Sequence, residues 1–130
     1  MKCLDSDLLV AILRGKQEAR RVVEELDGEN RGATTSVNAF ELYFGACKSE
    51  RKKENLIEAT RLLDRLIVYS LDLATSRRAA EISAGLGSRG EAIDFRDAMI
   101  ASIAVENGLT LVTRNESHFR RIKGLQIETW

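Results

Sequence analysis

Apolar positions are densest from Ala98 to Val105, where only Ser102 is polar and neither Gly nor Pro breaks the run. A helix apolar on nearly every side is a buried one, and this run falls far short of the roughly 20 residues that cross a bilayer. Ile93 to Val105 is therefore read as a central helix, ended by Gly108. Asp94 and Asp97 stand at its front edge, three apart and so on one helix face. Two roles are open to them: an N-cap with a first-turn acid, or metal ligands held at the tip of a rigid helix.

Elsewhere, short apolar runs alternate with helical spacing. Lys2–Leu4 predicts a strand ended by Asp5, and Leu8, Leu9, Ile12 and Leu13 follow at helical spacing up to Gly15. Glu18–Leu26 reads as a polar-faced helix and Ala33–Ser36 as a brief strand. Val37–Lys48 predicts a helix whose apolar stripe is Val37, Phe40, Phe44 and Cys47. Glu54–Leu66 is amphipathic, Ile67–Leu71 is a strand, and Asp72 caps a helix through Ala84, before a Gly-rich break. Thr110–Thr113 is a buried strand, Asn115 opens a short helix, and Leu125–Glu128 closes the chain as a strand. Strands alternating with helices predict right-handed crossovers and a mainly parallel sheet covered on both faces. Ligands of such sheets bind beyond the carboxyl ends of the strands, so polar residues there carry the most weight.

Composition adds little. With 130 residues the chain is expected to form one domain that buries roughly two-thirds of its unfolded surface. Lys plus Arg equals Asp plus Glu at 20 each, so a nucleic-acid binder would have to use local patches. Cys3 and Cys47 lack zinc or disulfide spacing and are expected to be buried small hydrophobes of a reduced, cytoplasmic chain. The N-terminal stretch, broken by Asp5 and Asp7, predicts neither a signal peptide nor an anchor. No GxGxxG or Walker sequence points to nucleotide binding. The lone His118 leaves no Ser-His-Asp or Cys-His arrangement, and is expected to form a local hydrogen bond on the last short helix.

Three polar residues fall at the predicted carboxyl edge or at helix starts facing it: Asp5, Asp97 and Asn115. Each also has a turn or capping role open to it. Glu41 has Val37, Phe40, Phe44 and Gly45 around it on its helix face, so it is expected on the apolar side. A buried carboxylate is paired, protonated or metal-bound, and an ion pair with an arginine is the alternative to metal. Several carboxylates with no Lys or His among them repel one another, and a hard divalent cation relieves that. Carboxylate, amide and water ligands suit magnesium or manganese better than zinc.

These residues resemble those of the PIN-domain ribonucleases, and among them the VapC toxins of prokaryotic toxin–antitoxin pairs. The resemblance rests on Leu4-Asp5-Ser6-Asp7-Leu8-Leu9; Asn38-Ala39-Phe40-Glu41-Leu42 with Gly45; and Asp97-Ala98-Met99-Ile100-Ala101 with Ala104. It continues in Leu109-Thr110-Leu111-Val112-Thr113-Arg114-Asn115 with His118-Phe119, and in Gly124-Leu125 with Trp130. The ordered set spans nearly the whole chain. It implies an α/β fold of one PIN-like domain over residues 1–130, a three-layer sandwich with a mainly parallel five-stranded sheet and helices on both faces. It also implies an acidic pocket binding Mg2+ or Mn2+, with Asp5, Glu41 and Asp97 at the family's acidic positions and Asn115 at its fourth. Ser6, Asn38, Asp94 and Thr113 would support the pocket, although Asp94 matches no invariant position. Asp7 stands where Asn is common, and Asn38 where Ser or Thr is common.

The implied activity is hydrolysis of an RNA phosphodiester, with a homodimer and a small VapB-like antitoxin as partners and no membrane role. Arg14, Arg96 and Arg114 flank the acidic stretches. Arg96 and Arg114 are the expected RNA contacts, and Arg51–Lys53 or Arg120, Arg121 and Lys123 could extend the track. Two other readings compete. One is a non-catalytic PIN-fold module that binds RNA or protein. The other is a haloacid-dehalogenase-like phosphatase with Asp5 as nucleophile and Asp7 as acid.

Overall fold

A computed structural model describes residues 1–28 and 31–130. Five strands, β1 (Lys2–Leu4), β2 (Ala33–Thr35), β3 (Ile67–Tyr69), β4 (Thr110–Val112) and β5 (Gln126–Glu128), form one sheet in the order β3-β2-β1-β4-β5. Every pairing is parallel, so every connection is a crossover. The helices are α1 (Ser6–Leu13), α2 (Arg20–Asp27), α3 (Ser36–Cys47), α4 (Lys52–Asp64), α5 (Leu73–Ser88), α6 (Phe95–Glu106) and α7 (Glu116–Phe119). None among the described residues is long and apolar enough to cross a membrane.

Strand periodicity divides the core. Leu4 and Val112, partners across β1 and β4, point into a cluster with Leu8, Leu9, Leu62 and Leu63. Their neighbours Cys3 and Leu111, also partners, point into the opposite cluster with Ile100, Ala101, Ala104 and Phe119. Successive strand residues face opposite sides, so three-residue strands suffice to hold two helical layers to one sheet. The α6 helix is the buried central helix its sequence predicts, with every residue from Ile100 to Ala104 buried. Its single polar core residue, Ser102, donates its hydroxyl to the Met99 carbonyl at 2.7 Å and leaves no unmet group.

Tertiary packing alters several elements. The α3 stripe that enters the core is Asn38, Leu42 and Ala46, whereas Phe40 and Phe44 are 57% and 52% exposed and Cys47 is exposed. The predicted stripe of Val37, Phe40, Phe44 and Cys47 is therefore wrong for all but Val37, which packs on the second cluster. Hydrophobic spacing alone cannot say which of two apolar faces finds the sheet. The segment before α2 is a 3-10 turn at Gln17–Ala19 rather than part of one helix from Glu18. Asp72 caps α5 as expected, in a reciprocal capping box with Thr75. The helix then runs on to Ser88, through Gly85 and Gly87, and the break comes at Gly90, whose φ is +72°.

These two glycines should respond oppositely to alanine. A Cβ on Gly87 meets nothing within 4 Å, so Gly87→Ala should stabilise by about 1 kcal/mol through helix propensity. Gly90→Ala should destabilise by roughly 1–2 kcal/mol, because L-residues disfavour positive φ. Urea denaturation of the two variants measures both.

Candidate active site

The order of the sheet reverses between β1 and β4, and the crevice beyond their carboxyl ends is where open α/β sheets place ligands. Asp5 follows β1 there and is only 5% exposed. It caps α1 itself: its Oδ1 accepts from the Ser6 amide at 2.8 Å. Asn38 Nδ2 adds a second bond to Oδ1 at 2.9 Å, and Thr113 Oγ1, at the end of β4, donates to Oδ2 at 2.7 Å. Three neighbouring strands thus converge on one carboxylate. Thr35, at the end of β2, caps α3 and donates to Asn38 Oδ1 at 2.7 Å, which turns the Asn38 amino group toward Asp5.

The network continues outward. Asn38 Nδ2 also donates to Ser6 Oγ at 2.9 Å, and Ser6 Oγ donates to Glu41 Oε1 at 2.9 Å. Glu41 is half-buried at the rim rather than sunk in the core, and no arginine forms an ion pair with it among the described residues. It edges an open groove of about 330 Å³ with Phe40, Phe44, Lys48 and Arg96. On the other side, the Asn115 amide donates to Thr113 Oγ1 at 3.0 Å. Asn115 occupies the N-cap of α7, but its side chain makes no capping bond and remains at the exposed edge.

Asp97 lies in the first turn of α6, with its Oδ2 3.3 Å from His118 Nδ1. The expectation of an acidic cluster free of histidine therefore fails, because α7 brings His118 onto Asp97. Asp94 is the α6 N-cap, accepting from the Arg96 amide at 2.8 Å, and its carboxylate also pairs with the Arg96 guanidinium at 3.3 Å. It makes no hydrogen bond to Asp5, Glu41 or Asp97 among the described residues, so its visible role is the cap and the Arg96 pair. Arg96 feels the charges of Asp94, Glu41 and Asp97 and lines the groove beside Glu41. Arg14, by contrast, is the C-cap of α1, at the far end of that helix from Asp5. Arg120 pairs with Glu116 at 3.2 Å, and Arg121 donates to the Glu91 carbonyl at 2.7 Å. Arg121 is thereby drawn into fixing the loop before α6.

Electrostatics mark both key carboxylates. Burial pushes the Asp5 carboxyl up to about 6, against the pull of its donors, and the nearby Asp7 charge adds to the rise. Burial also raises Asp97; Asp94 adds to this, while His118 pulls it back. Arg96 holds the Asp94 carboxyl below the usual range. Among the described residues, no three Asp, Glu, His or Cys side chains gather into a ready-made metal cage. The donors at this edge are nonetheless hard oxygens, and among the described residues Oδ2 of Asp5 accepts one protein bond. That set fits magnesium or manganese, which dehydrate reluctantly and use one or two carboxylates with waters and substrate phosphate. It does not fit a thiolate or imidazole zinc site.

Thr35, His118 as a partner of Asp97, and the partners of Asp7 escaped the sequence reading. Asp7 accepts from the Arg114 amide at 2.9 Å and from Trp130 Nε1 at 3.4 Å. The Thr35-x-x-Asn38 spacing signals a cap that bears on the site, and His118 lies one helical turn beyond Asn115. Nothing in the sequence signals the Asp7 contacts, which join positions more than 100 apart.

Comparison with known proteins places this geometry in a family. The model of the PIN domain matches residues 2–125. The tRNA(fMet)-specific endonuclease VapC of Shigella flexneri is 31% identical over 98% of this chain and 96% of its own length. That of Salmonella typhimurium is 32% identical over the same shares. Among solved structures, VapBC2 from Rickettsia felis, bound to a DNA fragment from its promoter, superposes with a TM-score of 0.89 at 28% identity, covering 99% of this chain and 98% of the other. DNA-bound VapBC from Salmonella typhimurium gives 0.88 at 32% identity, covering 100% and 99%. The chain belongs to the PIN domain family and, within it, to the VapC ribonuclease toxins. The phosphatase alternative falls with that assignment, and its intended acid, Asp7, is already engaged by Arg114 and Trp130.

The raised carboxyls make a signed prediction for the metal-free protein. A folded-state acid above its unfolded value of 3.8 binds more protons when native, so stability falls as pH rises from about 4 to about 6 and then levels off. For Asp5 this is about 3 kcal/mol. Chemical denaturation in EDTA should therefore find the wild type less stable at pH 7 than at pH 5, with most of the difference removed by Asp5→Asn.

Proposed function

We propose that this protein is a divalent-metal-dependent endoribonuclease that hydrolyses RNA phosphodiester bonds at the edge built by Asp5, Glu41, Asp97 and Asn115. The observation that carries the reading is the buried, triply hydrogen-bonded Asp5 at the reversal point of the sheet. These bonds offset the burial of Asp5 only in part, and a cation at that edge would meet the remaining charge. Asp5 and Asp97, with Asn115 and water, would hold Mg2+ or Mn2+, and Glu41 would reach it through water. When bound, such an ion stabilises charge on the phosphate and lowers the pKa of a water nucleophile. The protein's own part is preorganisation. Thr113 and Asn38 fix both oxygens of Asp5, Ser6 fixes Glu41, and His118 steadies Asp97, so little reorganisation remains for the reaction itself.

Arg96 and Arg114 would meet the RNA backbone at the rim. Two relatives carry names for cleavage of tRNA(fMet), which makes initiator tRNA the first substrate to test. A VapB-like antitoxin partner is supported by the structural neighbours, which are VapBC complexes. A homodimer is supported by an exposed apolar surface around Phe40, Phe44, Leu73 and Phe95, each more than half exposed. That surface lies on α3 and the starts of α5 and α6.

With manganese, the wild type should cleave RNA, and EDTA should abolish cleavage. Asp97→Asn should lower kcat at least about 100-fold, with thermal stability retained. Thr113→Val should weaken Mn2+ activation by roughly 10–100-fold by freeing Oδ2 of Asp5. Cleavage indifferent to EDTA and to Asp97→Asn would point to the non-catalytic module or to a contaminant. Size-exclusion chromatography tests the dimer, which Phe44→Glu should convert to monomer.

A further inference from the structure

Arg114 and Arg96, the two rim arginines, are held differently. Arg96 is paired with Asp94. Among the described residues, no carboxylate forms a salt bridge with the Arg114 guanidinium. Instead it lies flat on the Trp130 ring, 3.6 Å from the ring centre, with its Nε donating to the Trp130 backbone oxygen at 3.0 Å. Among the described residues, the terminal nitrogens of the guanidinium have no protein acceptor. Trp130 itself is half-buried and packs against the cluster of Leu4, Leu8 and Val112. Asp7 then ties the pieces together: one oxygen accepts from the Arg114 amide and the other from Trp130 Nε1. Asp7 stands in the first turn of α1, two residues after Asp5, while Arg114 directly follows Thr113, the donor to Asp5.

We propose that Asp7 and Trp130 are positioning residues that form a clasp, holding Arg114 with its free face outward to take a phosphate of the RNA substrate beside the Asp5 edge. This rests on the ribonuclease reading and adds to it a reason for the acid at position 7 and for Trp130. A guanidinium stacked on an indole keeps its charge and its planar fork while losing rotamer freedom, so the phosphate meets a preoriented donor. The clasp joins the start of α1, the loop after β4 and the last residue of the sequence, none of which constrains Arg114 alone.

Trp130 is the single tryptophan of the chain, so its emission reports the clasp directly. Labelled single-stranded RNA is titrated in EDTA, and binding is followed both by RNA anisotropy and by indole emission. RNA binding should change Trp130 emission in the wild type but not in Arg114→Gln. Arg114→Gln should weaken binding about 10-fold and reduce the slope of log Kd against log salt by about 1, as loss of one phosphate contact does. Trp130→Leu should reproduce both effects, Trp130→Phe should restore binding to within about 2-fold, and the double variant Trp130→Leu with Arg114→Gln should be no weaker than Arg114→Gln. RNA binding with unchanged Trp130 emission, or additive losses in the double variant, overturns the clasp. If Trp130→Leu does not fold, the emission comparison of wild type with Arg114→Gln decides alone. Absence of any RNA binding in the anisotropy arm counts instead against the ribonuclease reading.

Discussion

Burying the Asp5 carboxylate at the carboxyl edge of a parallel sheet is the constraint on which this site is built. An ionised carboxylate out of water is costly unless hydrogen bonds or a counter-charge meet it. Three adjacent strands supply the bonds, through Ser6 and the Asn38 amide on one oxygen and Thr113 on the other. The compensation is incomplete, since burial still lifts the group to about 6. An incompletely compensated buried carboxylate of this kind would be favoured by a cation placed at that edge.

Everything near Asp5 acts to keep that geometry unique. Thr35 orients Asn38, Asn38 bridges Asp5 and Ser6, and Ser6 holds Glu41, so a chain of short polar side chains links β2, α1 and α3. Fully satisfied networks of this sort rigidify a site because each member has few alternative partners. The second half of the edge is mounted differently. Asp97 rides on α6, whose apolar body packs between the sheet and α5, and His118 Nδ1 meets its carboxylate at 3.3 Å. A polar lattice and a greasy helix thus present two carboxylates, Asp5 and Asp97, at one edge.

Much of this was legible in the residues. Alternation of strand and helix set the parallel sheet, and the unbroken apolar run at Ala98–Val105 marked the buried helix. Asp5, Asp97 and Asn115 were recognisable as a set because they end strands or start helices, where such sheets expose ligand sites. The errors are instructive in the same terms. Phe40 and Phe44 looked like core by spacing, and the structure turns them outward because Asn38 and Leu42 face the sheet. Gly85 and Gly87 looked like a break, yet a helix anchored by tertiary packing passes through them.

Periodicity, capping chemistry and the handedness of crossovers were enough to place most strands and helices, Asp5 at the carboxyl edge, and both acids at the α6 tip. Tertiary structure alone decided that Thr113 meets Asp5, that His118 meets Asp97, and that Asp7 clasps Arg114 and Trp130. Each of these contacts joins residues far apart along the chain, and only the folded sheet and its packed helices bring such residues within hydrogen-bonding reach.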